Sequence, residues 1–88
     1  MITMSRAFVF LNCDIGAQPE IIYEMNKIAG ISEMAAVSGV YDIVAKISGA
    51  SKENIANQVK KIREIASVRS SMTMIIAEEP TKHSEVAV

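Results

Sequence analysis

The sequence has no tryptophan, one cysteine and one histidine, and aromatic residues make up only 5% of its 88 residues. The single cysteine, Cys13, excludes an internal disulfide and a zinc site built from several cysteines, and it is typical of a reducing cytosol. His83 has no Cys, Asp or Glu at a reliable metal-ligand spacing, so we interpret it as a residue of a polar tail. We therefore expect neither a metal nor a cofactor.

Long apolar runs are also missing. No run approaches the roughly 18 residues that a membrane span requires, and residues 1–6 lack the charged and apolar regions of a signal peptide. The net charge is −1, with Lys and Arg mixed with Glu along the chain, which argues against a nucleic-acid interface. We expect a soluble, cytoplasmic protein that contacts neither a membrane nor DNA directly.

Half of the residues are apolar, and their spacing predicts six elements. Pro19 and Glu20 suit a first helical turn, Gly30 the end of that helix, and Ser51 the N-cap of a second helix. The predicted order is β-α-β-β-α-β, with strands at 6–13, 31–38, 40–47 and 72–77 and helices at 19–29 and 52–66.

With right-handed crossovers, this order gives an α+β, ferredoxin-like sandwich in which both helices cover one face of a sheet. Strands 6–13 and 40–47 are apolar on both alternating sets of residues, so the other face would expose a large apolar patch. A second copy should cover it, giving a dimeric α+β barrel. We expect residues 1–88 to form one domain with its core at 5–79 and a flexible tail at 80–88. Residues 78–88 should continue the last strand briefly and then fray.

The stretch 37–47 joins two apolar runs at a Ser-Gly pair. Gly39 can adopt positive φ in a hairpin turn without a Cβ penalty. Asp42 lies where an apolar strand should already have begun, and strand interiors are depleted in Asp. Either its carboxylate braces the turn by bonding nearby backbone amides, or it has a role in binding.

Val37-Ser38-Gly39-Val40-Tyr41-Asp42, followed by an aliphatic strand, resembles the V-S/T-G-x-Y/F-D signature of the effector-binding domain of the Lrp/AsnC regulators. That domain is also called RAM, for regulation of amino-acid metabolism. Further matches fall in the family's order: an opening strand at 7–13, a Pro-Glu helix start, a second helix through Ile62, and a closing strand at 71–76. The resemblance covers most of residues 6–79.

The resemblance implies a free amino acid as effector, bound between dimers at the hairpin and the closing strand. Asp42 would accept from the ammonium, and turn amides with the Ser71 and Thr73 hydroxyls would donate to the carboxylate. Val40 departs from the acidic residue frequent in the family, and Ser71 replaces the commoner Thr. The predicted ligand-binding residues are Ser38, Gly39, Val40, Tyr41, Asp42, Ser71 and Thr73.

Family members carry an N-terminal helix-turn-helix domain, whereas here the opening strand begins almost at Met4. The chain therefore resembles stand-alone RAM proteins, which bind amino acids by themselves or co-assemble with full-length regulators. The family also implies homodimers that assemble into octamer or decamer rings.

An alternative is a small enzyme of the dimeric α+β-barrel type, which shares this topology. Such an enzyme would need a His, an Arg or paired carboxylates on inward strand positions. Here those positions are apolar, and the sequence has neither a Gly-rich phosphate loop nor a G-x-S-x-G elbow. We therefore expect a binding module rather than an enzyme.

Overall fold

The computed structural model of the protein describes residues 4–76. Its elements are β1 (Ser5–Cys13), α1 (Gln18–Met25), β2 (Ile31–Ala36), β3 (Ile43–Gly49), α2 (Lys52–Arg63) and β4 (Val68–Ile75). The four strands form one antiparallel sheet in the order β2-β3-β1-β4. This is the predicted βαββαβ ferredoxin-like arrangement.

The central strand, β1, divides its side chains strictly between the two faces of the sheet. Ala7, Val9 and Leu11 are fully buried beneath the helices. They share one core cluster with Ile43, Ala45 and Ile47 of β3 and with Ile21, Met25, Ile55 and Ile62 of the helices. Phe8 and Phe10 alternate with the buried residues and lie on the opposite, helix-free face, which we call the open face. Phe8 remains 38% exposed there.

Both helices begin where the sequence predicts and end earlier. Pro19 lies in the first turn of α1, and the Ser51 hydroxyl caps α2 by accepting a hydrogen bond from the Asn54 amide at 3.2 Å. The prediction that α1 continues to residue 29 is wrong, because the helix ends at Met25. The amides of Lys27 and Ile28 bond three residues back, which converts the last part of the predicted helix into tight turns.

α2 ends at Arg63 rather than at residue 66, and β4 begins at Val68 inside the predicted connection 67–70. Ser70 pairs with Asn12 of β1. The early start of β4 escaped prediction because Arg69 and Ser70 are exposed on an edge strand, where the sequence needs no alternation of apolar and polar residues.

The predicted tight hairpin is a wider loop. β2 ends at Ala36 and β3 begins at Ile43, not at Val40, so residues 37–42 connect them. The Val37 amide closes this connection by donating to the Asp42 carbonyl at 2.8 Å. Gly39 has φ +143°, as expected of the glycine that makes the turn.

Residues 77–88 lie outside the described part of the chain, and so do the predicted end of the last strand, the fraying tail and His83. Between residues 4 and 76, neither helix has the length and hydropathy that a membrane-crossing helix needs.

Gln58 of α2 ties the helix to the far end of the sheet. Its side-chain amide donates to the carbonyls of Ala29, at 2.7 Å, and Ser48, at 3.3 Å. Gly30 lies against these groups with φ +96°, and a Cβ there would clash with Gln58 Nε2 and lie 2.7 Å from the Ser48 carbonyl oxygen. Only glycine fits this position without displacing the Gln58 side chain and the Ser48 carbonyl.

We predict that Gly30→Ala lowers the free energy of unfolding by about 3 kcal/mol, through left-handed strain and the lost Gln58 bonds. Gly16→Ala is the matched control, because Gly16 has φ +79° and nothing within 4 Å of an added Cβ. It should lose only about 1 kcal/mol. Urea unfolding of both variants tests this, and equal losses would contradict the role of the clash.

Candidate functional site

Asp42 joins the hairpin connection to the end of β1. Its amide donates to the Leu11 carbonyl at 2.8 Å, and its carboxylate oxygen Oδ2 accepts from the Cys13 amide at 2.9 Å. The sequence offered a brace to nearby backbone amides as one interpretation, but the amide that Asp42 binds lies 29 residues away in the chain. The brace therefore connects two strands rather than closing the turn.

This bond also explains why β3 starts late. The β1–β3 ladder ends at the pair Leu11 and Ile43. The next amide of β1 that points toward the β3 side is that of Cys13. A backbone carbonyl would receive that amide if β3 began earlier. The Asp42 carboxylate takes its place, so the ladder stops and residues 37–42 leave the sheet.

The Cys13 thiol lies close to the same carboxylate. Burial, and then the negative charge and hydrogen bonding of Asp42, raise the pKa of Cys13 above its ordinary value. The thiol therefore stays protonated and poorly nucleophilic at neutral pH, as expected for a structural cysteine.

Tyr41 packs onto the open face of the sheet. Its ring centroid is 5.4 Å from that of Phe10, with the planes tilted by 44°, and its hydroxyl is 3.5 Å from the Met72 sulfur. The hairpin connection is thus held across β1 as far as the edge strand β4. The Tyr41 ring thus makes an apolar contact on the open face, while its hydroxyl lies beside the Met72 sulfur.

The tip of the connection faces solvent. Ser38, Gly39 and Val40 are exposed, and the Val40 side chain is 82% exposed. At the same end of the sheet, Asp14 accepts a hydrogen bond from the Arg69 guanidinium. The Asp42 carboxylate, at the base of the connection, is only half-buried.

The structure separates the predicted site residues into two groups. Ser38, Gly39, Val40, Tyr41 and Asp42 lie together in the connection. Ser71 and Thr73 pair in register with Leu11 and Val9, whose side chains are buried on the helix face. In an antiparallel pair, opposed residues share a face, so these hydroxyls point away from the face that Tyr41 occupies.

Sequence reasoning missed the partners of the predicted residues: the Leu11 carbonyl, the Cys13 amide, Phe10 and Met72. Asp42 lies where an apolar strand was expected, which indicated that its side chain makes a specific contact. Only the strand order could name the partner. In the described part of the chain, no three His, Cys, Asp or Glu side chains cluster as metal ligands would.

Sequence comparison shows which protein family the chain matches. The profile of the Lrp/AsnC ligand binding domain matches residues 6–86. An uncharacterized HTH-type transcriptional regulator of Pyrococcus furiosus is 34% identical over 75 residues, which cover 81% of this chain and 50% of the relative. The chain thus spans about half the length of this curated relative.

Solved structures share the fold. A Thermus thermophilus protein superposes with a TM-score of 0.82 at 19% identity, over 89% of this chain and 99% of its own. Escherichia coli AsnC gives 0.79 at 19% identity, over 88% and 53%. A Neisseria meningitidis transcriptional regulator, solved as a complex with L-Met, gives 0.77 at 12% identity, over 94% and 56%. From its sequence match over residues 6–86, this chain belongs to the Lrp/AsnC family, as a ligand-binding domain.

Proposed function

We propose that this domain binds a free amino acid at the hairpin connection 37–42 and acts as a regulatory module in the cytoplasm, without enzymatic activity. The observation that carries the proposal is the Asp42 carboxylate, which is fixed by the Cys13 amide through Oδ2 and is only half-buried beside the connection. A positioned anion suits an ammonium group. The bound L-Met of the Neisseria regulator supports an amino acid as the ligand class.

In this proposal, part of the carboxylate-binding half comes from a neighbouring subunit. Ser71 and Thr73 lie on the helix face, so one subunit does not bring their hydroxyls to Asp42. The exposed amides around Gly39 supply donors locally, and another copy would supply the hydroxyls. We therefore place the complete site, including Ser38, Val40 and Tyr41, between dimers of a ring of eight or ten subunits.

The open face supplies the reason to dimerise. Phe8, Phe10, Met72 and Met74 lie there without a covering helix, and Met74 is 53% exposed. A contiguous apolar surface of this kind suits a second copy packed face to face. Such dimers would bind effector alone or co-assemble with full-length regulators, and this domain would not contact DNA directly.

The helix face argues against catalysis. Among the described residues, no polar or charged residue is fully buried, and the sheet positions beneath the helices hold no histidine and no pair of carboxylates. The dimeric α+β-barrel enzyme that shares this topology would need such a group there. The regulatory character of the family agrees with a binding role.

We predict that Asp42→Asn weakens binding of the best amino acid by roughly 10- to 150-fold, the effect of losing a charge-assisted hydrogen bond. Asn keeps an oxygen that accepts from the Cys13 amide, so the free energy of unfolding should fall by only about 0.5–1 kcal/mol. Calorimetric titration after a thermal-shift screen of the twenty amino acids, together with urea unfolding, measures both quantities.

Asp14→Asn is the matched control, because Asp14 is a carboxylate at the same end of the sheet whose partner is Arg69. It should leave affinity unchanged. Unaltered binding by Asp42→Asn would remove Asp42 from the site.

We also predict that the protein sediments as a dimer or larger at micromolar concentration, and that Phe8→Lys shifts it toward the 9.5 kDa monomer. Tyr23→Lys is the control, since Tyr23 is 62% exposed on α1, away from the open face. Sedimentation equilibrium distinguishes the species. A wild-type monomer would refute the open face as an interface.

A further inference from the structure

A cavity lies on the helix side of the sheet, between α2 and the edge strand β4. It is an open groove of about 690 Å³, within the usual range of small-molecule sites. Its apolar lining is Ile55, Ala56, Val59 and Ile75, and the Thr73 hydroxyl also reaches it. Within one subunit the groove is on the face opposite Tyr41 and is therefore separate from the hairpin connection.

The charged residues around the groove are mostly positive. Lys52, Lys60 and Arg63 line it together with a single carboxylate, Glu64. None of the three cations forms an ion pair with another residue in 4–76. The whole chain carries a net charge of −1, whereas the charged residues that line this groove are mostly positive.

We propose that the α2–β4 groove binds a carboxylate with an apolar tail. The tail would lie on Val59 and Ile75, while the carboxylate meets Arg63, whose planar guanidinium can bond both oxygens. A free amino acid fits poorly, because its ammonium would meet three cations. A polyanion such as nucleic acid fits poorly as well, because the floor between the cations is apolar.

Octanoate is the probe, and octylammonium is its matched control with the same tail and the opposite charge. We expect octanoate to bind the wild-type protein with at least tenfold higher affinity than octylammonium, measured by calorimetry. The variant Lys60→Gln/Arg63→Gln should weaken octanoate binding about tenfold or more. Lys27→Gln, on α1 and outside the groove, should not change it.

Ala56→Glu tests the apolar floor without touching the core, because Ala56 is exposed on α2. It should abolish octanoate binding while leaving the urea midpoint close to wild type. Absence of octanoate binding at millimolar concentration, equal affinity for octylammonium, or full binding by Ala56→Glu would each overturn the proposal.

The groove and the hairpin connection are tested independently. Asp42→Asn should leave octanoate affinity unchanged while it weakens binding of the best amino acid. If Asp42→Asn abolishes octanoate binding, octanoate occupies the hairpin site and the groove proposal fails. Failure of the amino-acid proposal alone would leave the octanoate result intact.

Discussion

The two helices cover only one face of the sheet, but the inner strand β1 carries apolar side chains on both faces. This constraint shapes the rest of the molecule. Val9 and Leu11 of β1 gain full burial from α1 and α2, whereas Phe8 keeps over a third of its surface in water. Within residues 4–76, no third helix is present that could cover the open face. The proposed association with another copy would bury this surface, and burial of apolar area is favourable by about 25 cal/mol per Å².

The second organising contact is the bond from the Cys13 amide to the Asp42 carboxylate. It ends the β1–β3 ladder and fixes the hairpin connection to the end of the sheet. Burial, and then the nearby Asp42 carboxylate, raise the pKa of the Cys13 thiol. A single residue thus shapes the loop and keeps a half-buried carboxylate at its base. In the proposed function, stability and binding are separable at this position, because an amide side chain still accepts from the Cys13 amide but lacks the charge that would meet the ligand.

The two faces of the sheet give the domain two different surfaces. The open face is apolar and suits a copy of itself, while the helix side carries the cationic groove between α2 and β4. Thr73 belongs to the groove within one subunit, although its place in the closing-strand motif suggested the hairpin site. Its hydroxyl can serve the amino-acid site only through assembly, so oligomerisation and effector binding are coupled in the proposed function.

The sequence by itself determined the element order, the strand alternation of β1, the first turn at Pro19, the cap at Ser51 and the glycine at position 39. These depend on side-chain period and on local backbone preferences, which neighbouring residues set. The tertiary structure alone decided that α1 ends at Met25, that Asp42 binds the Cys13 amide and that Tyr41 and Thr73 face opposite ways. Each of these outcomes depends on which strands become neighbours and in which register, and no local pattern specifies hydrogen-bond partners that lie tens of residues apart.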